Sequence, residues 1–165
     1  MLASRAFVGL TARSLAAVDD DVTLPQFRTL VVLAVRGPQR SIDIAVELQV
    51  NPSTGTRMLD RLIRKKLVRR GRSTADRRVV RVWLTPAGRD VVDQVLTRRR
   101  TELEQLVAAT AGLWQPAVTD ALTAFAAAVG EVGEHDWWLG WAAHRADTDD
   151  EQYEPEPAAA DMPPA

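Results

Sequence analysis

Residues 51–66 read NPSTGTRMLDRLIRKK, and the apolar Met58, Leu59, Leu62 and Ile63 recur at helical spacing. Ser53, Thr56, Arg57, Asp60, Arg61, Arg64 and Lys65 lie mostly outside that stripe, so one face of the predicted helix packs and the other is wet and basic. Asn51 suits the N-cap, where its side-chain oxygen accepts from first-turn N–H groups, and Pro52 suits the first helical position, where a missing N–H costs nothing. Just before it, SIDIAVEL (41–48) predicts a short helix capped by Ser41, with Ile42, Ala45 and Leu48 inward and a tight turn through Gln49 and Val50. Two helices joined so closely make a helix-turn-helix. Gly55 costs up to about 1 kcal/mol relative to Ala inside a helix, which makes sense if the small Ala45 lets the two helices approach there. Downstream, Val80, Val82 and Leu84 alternate with Val79, Arg81 and Trp83 as in a half-buried strand, with residues 68–71 as its hairpin partner. The tip, 72–78, carries Arg72, Arg77 and Arg78 against Asp76, which is turn chemistry with a positive end.

The flanking pattern is helical. Leu2, Ala6, Leu10 and Ala17 predict an amphipathic first helix. After the acidic turn 19–21, Thr23 and Gln26 form a capping box and Val22 with Phe27 a staple, opening a helix that runs to the Gly37-Pro38 break. Thr85 followed by Pro86 starts a long helix carrying Val91, Val92, Val95, Leu96, Leu103, Leu106 and Val107. An Ala-rich last helix over 114–130 places Val118, Leu122, Phe125 and Val129 on one face. Trp137, Trp138 and Trp141 then need cover, from the protomer, from a second copy or from a bound ligand. From Asp147 the chain is acidic, Pro-rich and nearly free of large aliphatics, so residues 147–165 are expected to be a disordered tail whose deletion leaves folding and the binding properties of the preceding residues nearly unchanged.

Charge sharpens this picture. The net charge of −1 hides a sorted chain: residues 57–100 hold fifteen Lys and Arg against four Asp and Glu, and the remainder six against eighteen. A basic block that coincides with a helix-turn-helix and a basic hairpin is the electrostatic footprint of a polyanion binder. With no cysteine there is no disulfide, no thiolate metal site and no thiol-based oxidant sensor. His135 and His144 have carboxylates nearby but no metal-ligand spacing, so no metal or other cofactor is expected. Neither a nucleophile elbow nor a phosphate loop is present, which argues against an enzyme. No stretch is long enough to span a membrane, and the start lacks a signal-peptide apolar run, so a cytoplasmic location is expected.

In order and spacing, residues 22–33 (VTLPQFRTLVVL), Ile44-Ala45, 50–62, Leu67-Val68-Arg69 and above all 76–88 (DRRVVRVWLTPAG) resemble a winged-helix regulator of the multiple antibiotic resistance regulator (MarR) type. The last stretch is close to that family's Asp-x-Arg followed by Leu-Thr-x-x-Gly. The resemblance implies a mainly α fold with a small β-hairpin wing: a winged helix-turn-helix lobe over about 23–85, and dimerisation helices over about 1–18 and 86–146 within one domain, 1–146. It also implies a cytoplasmic homodimeric repressor on double-stranded DNA, released by a small aromatic or amphipathic effector; the alternative is a winged-helix protein-interaction module. By resemblance Ser53, Thr56 and Arg57 read bases, Thr54, Arg61 and Lys65 lie nearer phosphate, Arg72 belongs to the basic wing, and Arg77 or Arg78 enters the minor groove with Asp76 bracing its neighbour. Two positions depart from the family pattern. Lys66 stands where a glycine usually closes the recognition helix in the left-handed conformation, and Gly55 stands where an apolar residue is common.

Overall fold

Thr23, Thr85 and the Gly37-Pro38 pair punctuate the chain where the apolar periods change. The computed structural model describes residues 2–19, 21–73, 79–130 and 153–155. Its elements are α1 (Leu2–Ala16), α2 (Leu24–Arg36), α3 (Ser41–Glu47), α4 (Pro52–Arg64), β1 (Val68–Ser73), β2 (Val80–Leu84), α5 (Pro86–Ala109), a 3-10 turn, α6 (Pro116–Ala128) and β3 (Tyr153–Pro155). The fold is mainly helical with a small antiparallel hairpin, as the pattern predicts. Thr23 precedes α2 with its N–H donated to the Gln26 side chain at 3.1 Å, and Val22 and Phe27 are both buried beside it. At α5 the Thr85 hydroxyl accepts from the Gly88 N–H at 3.0 Å.

The core lies where α2, α3, α4, the base of the hairpin and the first turns of α5 converge. Leu30, Ile44, Leu59, Leu62, Val82, Val92 and Val95 are fully enclosed there. Each such side chain contributes roughly 1.5–3 kcal/mol over its exposed state. β1 and β2 pair antiparallel from Val68↔Leu84 to Arg72↔Val80, and Gln39 bridges to Val82 on the far side of β2.

Both helices of the helix-turn-helix end in the same way. Leu67 N–H reaches the Leu62 carbonyl at 3.0 Å and Lys66 N–H the Ile63 carbonyl at 2.9 Å; Val50 N–H and Gln49 N–H repeat the pattern onto Ala45 and Val46 at 3.0 Å each. These are Schellman caps, and the residue at the turn is left-handed in each, Lys66 at φ 60° and Gln49 at φ 54°. A side chain in that conformation costs on the order of 1–2 kcal/mol, of which glycine's greater unfolded-state freedom returns part. Lys66→Gly is therefore expected to stabilise the chain by about 0.5–1 kcal/mol in urea unfolding, whereas Lys66→Ala, which keeps the Cβ, gives no gain. A Lys66→Gly midpoint at or below that of the parent would sink this account.

Four local expectations change. Arg40, not Ser41, is the N-cap of α3: it holds extended φ/ψ, and its guanidinium binds Asp43 at 2.7 Å through both oxygens, bracing the first turn from outside. Ile42 is 45% exposed while Ile44 is enclosed, because in a helix of two turns the contact with α4 through Ala45 sets the inward face. Trp83 is buried together with Val82 and Leu84, so the alternation ends where both faces of β2 are covered. In α1 only Leu10 of the predicted stripe is enclosed, with Ser14 and Leu15; Leu2, Phe7 and Val8 stay exposed because the N-terminal turns reach past the core.

The last helix starts at Pro116, with Trp114 before it donating its indole N–H to the Thr110 hydroxyl at 2.8 Å. Among the described residues no side chain of α6 is fully buried, and Val118, Leu122, Phe125 and Val129 are all exposed. Residues 147–165, expected to hold no ordered element, contribute β3, which adds to β1 as a third strand. Backbone pairing places a strand where composition shows none. The three tryptophans 137, 138 and 141 and both histidines fall outside the described residues. No described helix is long and apolar enough to cross a membrane.

Candidate nucleic-acid interface

α4 presents the row that its sequence pattern assigns. Gly55, Met58, Leu59 and Leu62 face inward, while Ser53, Thr54, Thr56, Arg57 and Arg61 are exposed, as is Arg64. What sets the inward face is its contact with α3: a Cβ built on Gly55 would sit 3.0 Å from the Ala45 Cβ. That is tighter than ordinary packing, so the two helices approach as closely as their smallest residues permit. Asn51 occupies the N-cap with extended geometry, but its side chain makes no capping bond. The Thr56 hydroxyl donates to the Pro52 carbonyl at 3.0 Å, which leaves its lone pairs free to accept.

The remaining predicted residues divide. Arg72 is exposed on β1. The Lys65 ammonium is turned back onto the Asp21 backbone carbonyl, toward the α1–α2 turn and away from the Ser53–Arg57 end of the helix. Asp76, Arg77 and Arg78 fall outside the described residues, so the bracing and minor-groove roles implied for them have no geometry here.

Several ion pairs escape a reading by pattern. Asp60, predicted to be solvated, meets Arg70 of β1 at 3.3 Å and ties the helix to the wing strand. Arg36 pairs with Glu47 at 2.9 Å, and Arg81 donates to the Pro38 carbonyl at 3.1 Å. Arg40, beside Asp43, holds that carboxyl below the usual carboxylate range chiefly by hydrogen bonding, and the guanidinium pKa rises in turn. Only Arg40–Asp43, at three residues' separation, was legible locally; the others join segments distant in sequence. These partners make the basic block unequal. Within it Arg70 and Arg81 are engaged in the lobe, as Arg36 and Arg40 are upstream of it, while Arg57, Arg61 and Arg64 stand exposed on α4. Among the described residues no group of His, Cys, Asp and Glu could hold a metal ion.

The geometry is that of a helix held out from its lobe by a partner helix and flanked by a two-stranded wing. The sequence model of the MarR family matches residues 22–80, from just before α2 to the first residue of β2. The chain is 39% identical over 111 residues to the HTH-type transcriptional repressor MdtR of Bacillus subtilis, covering 60% of this chain and 72% of that one. The chain belongs to the MarR family. Its structure is similar to RV1404 of Mycobacterium tuberculosis, with a TM-score of 0.73, 42% identity and coverage of 81% of this chain and 90% of that one. It is also similar to a mutant MarR of E. coli in complex with operator DNA, at a TM-score of 0.57 and 26% identity over 73% and 83% of the two chains. The match spans 58% and 60% of the length of two further Bacillus subtilis HTH-type regulators. MarR membership accounts for the winged helix-turn-helix, of which α4 is the second helix.

Proposed function

We propose that this MarR-family protein is a transcriptional regulator that binds double-stranded DNA as a homodimer. The observation that carries this reading is the exposed row Ser53, Thr54, Thr56, Arg57 and Arg61 on α4, at the start of a block, residues 57–100, where basic residues outnumber acidic fifteen to four. Two lobes related by a two-fold axis place their recognition helices in successive major grooves, roughly 34 Å apart, on a pseudo-palindromic site. Arg57, nearer the helix N-terminus, reads a base edge, and Arg61, a turn further on, meets phosphate. The wing, with Arg72, Arg77 and Arg78, reaches the neighbouring minor groove, and Asp76 organises it. The second copy covers the apolar face of α6 and the exposed N-terminal turns of α1. Similarity to the repressor MdtR supports repression, carried out where the DNA is, in the cytoplasm.

Release by a small ligand has narrower support. Between the end of α1 and α5 lies a cleft of about 690 Å3, lined by Val18, Asp93, Thr97, Arg98 and Glu102 among others. That polar, charged lining suits an amphipathic effector and gives an aromatic ring little to stack on.

The test is a salt titration on a selected operator and a scrambled one. Arg57→Ala is expected to cost about 1–3 kcal/mol on the operator and little on the scrambled site, because it removes sequence reading. Arg61→Ala is expected to weaken both alike and to flatten the slope of log affinity against log salt, since a lost phosphate contact removes counterion release. Equal losses on both sequences for Arg57→Ala would take it out of the base-reading set. Absence of any DNA binding by the parent at low salt would favour the protein-interaction alternative.

A further inference from the structure

The wing is a hairpin with an unusual neighbour. β1 has β2 along one side, and at its outer end it pairs on the other side with β3, in the register Gly71↔Pro155, Arg72↔Glu154 and Ser73↔Tyr153. Gln39 covers the opposite edge of β2, its N–H donating to the Val82 carbonyl at 3.2 Å and its carbonyl accepting from the Val82 N–H at 2.8 Å. β3 therefore takes the outer edge of β1 at residues 71–73, where the described part of the strand ends. An open edge presents a row of unpaired N–H and C=O groups, and any extended segment can satisfy them whatever its side chains. This explains how a segment without an apolar pattern finds a docking place. Pro155, which lacks an N–H, limits how far such a ladder can run.

The sequence carried by this strand gives the pairing its meaning. Residues 147–165 contain seven Asp and Glu and no Lys or Arg, whereas residues 69–78 of the wing contain five Arg and one Asp. Glu154 stands across from Arg72, one of the arginines assigned to DNA. Among the described residues, Tyr153–Pro155 of this acidic segment lies beside the strand that carries Arg69, Arg70 and Arg72.

We propose that the acidic C-terminal tail is an intramolecular occupant of the wing edge that competes with DNA, so that binding an operator requires displacing β3. This rests on the DNA-binding reading above. It also replaces the expectation, drawn from composition, that removing the tail changes nothing. A three-residue ladder is weak by itself, and tethering supplies an effective concentration in the millimolar range, which suits an occupant that is displaced rather than permanent. A tail docked about nine-tenths of the time lowers apparent DNA affinity about tenfold. Because salt screens the attraction of tail for wing as it does that of DNA, the inhibition fades as salt rises.

Two experiments on the full chain and its variants test this. A chain truncated before Asp147 is expected to bind both operator and scrambled DNA about five- to tenfold more tightly than the full chain near ~50 mM salt, with the gap closing to under about twofold near ~0.5 M. The second uses the absence of native cysteine. Ser73→Cys with Tyr153→Cys pairs two positions that face each other in the register, at a separation a disulfide spans. Mild oxidation is expected to form the crosslink within one chain, seen on a non-reducing gel, to lower DNA affinity about tenfold or more, and to be reversed by reductant. The proposal is overturned by unchanged or weaker binding on truncation, by failure of the crosslink to form, by a crosslink joining two chains, or by equal DNA affinity of the oxidised and reduced forms. If no form of the chain binds DNA, the DNA-binding reading itself falls; if all forms bind equally, only the competing tail does.

Discussion

Gly88→Ala is expected to lower the thermal midpoint by about 8–12 °C, corresponding to a loss of roughly 2–4 kcal/mol. A Cβ at Gly88 would lie 2.0 Å from the Leu67 carbonyl oxygen, 3.0 Å from its carbon and 2.9 Å from the Leu84 Cδ1. The Leu84 methyl could rotate away, but the Leu67 carbonyl could not. It accepts from the Thr85 N–H at 3.1 Å and from the Thr85 hydroxyl at 3.0 Å, and its own residue closes the Schellman cap of α4. The start of α5 would have to retreat from the lobe by on the order of 1 Å, and the packing of Val92 and Val95 would go with it. The helical preference of Ala over Gly, about 1 kcal/mol, offsets only part of that. Gly112→Ala is the control, since nothing lies within 4 Å of its added carbon. A Gly88→Ala melting curve within about 2 °C of the parent would show that the junction yields, contrary to this account.

The same junction shows what the sequence could reveal. Thr85-Pro86 marks the start of α5 because capping chemistry is local: the hydroxyl meets an N–H three residues away. Thr23 with Gln26 was legible on the same ground. Local rules fail where tertiary contact overrides them. α3 is too short for its period to fix a face, so the approach of Ala45 to Gly55 turns Ile44 inward and Ile42 outward. Arg40 displaces Ser41 as the cap because an ion pair with Asp43 braces the same turn. The left-handed Gln49 carried no turn-former's signature, whereas Lys66 was flagged by its departure from the family's glycine.

For the candidate interface, the exposed row on α4 was legible because amphipathicity separates it from the core. Its neighbours were not. The Asp60–Arg70 pair and the turn of Lys65 toward Asp21 join residues far apart in the chain, and no periodicity encodes them. β3 is the extreme case, since edge pairing runs through backbone groups that every residue possesses. Its charge was legible while its place in the sheet was not.

Leu122→Glu with Phe125→Glu is expected to convert a dimer into a monomer and to cost at least about a hundredfold in operator affinity, because two half-sites held by one rigid dimer act with high effective concentration. α6 is an Ala-rich helix of 13 residues, none of them fully buried among the described residues, and Phe125 is 68% exposed. A helix that short is marginal in water without packing. Val118, Leu122, Phe125 and Val129 follow each other at helical spacing on one stripe, and all four are exposed, as are Leu2, Phe7 and Val8 of α1. A second copy of the chain would cover that apolar area, whereas a carboxylate pair placed within it would be desolvated without partners. Because these side chains take no part in the enclosed core, the winged lobe is expected to keep its fold and its weak, sequence-independent DNA binding. Sedimentation at micromolar concentration should then move from about twice the 18.2 kDa chain mass to the single-chain value. A double variant that remains dimeric would place the interface elsewhere, and a monomeric variant with undiminished operator affinity would separate dimerisation from recognition.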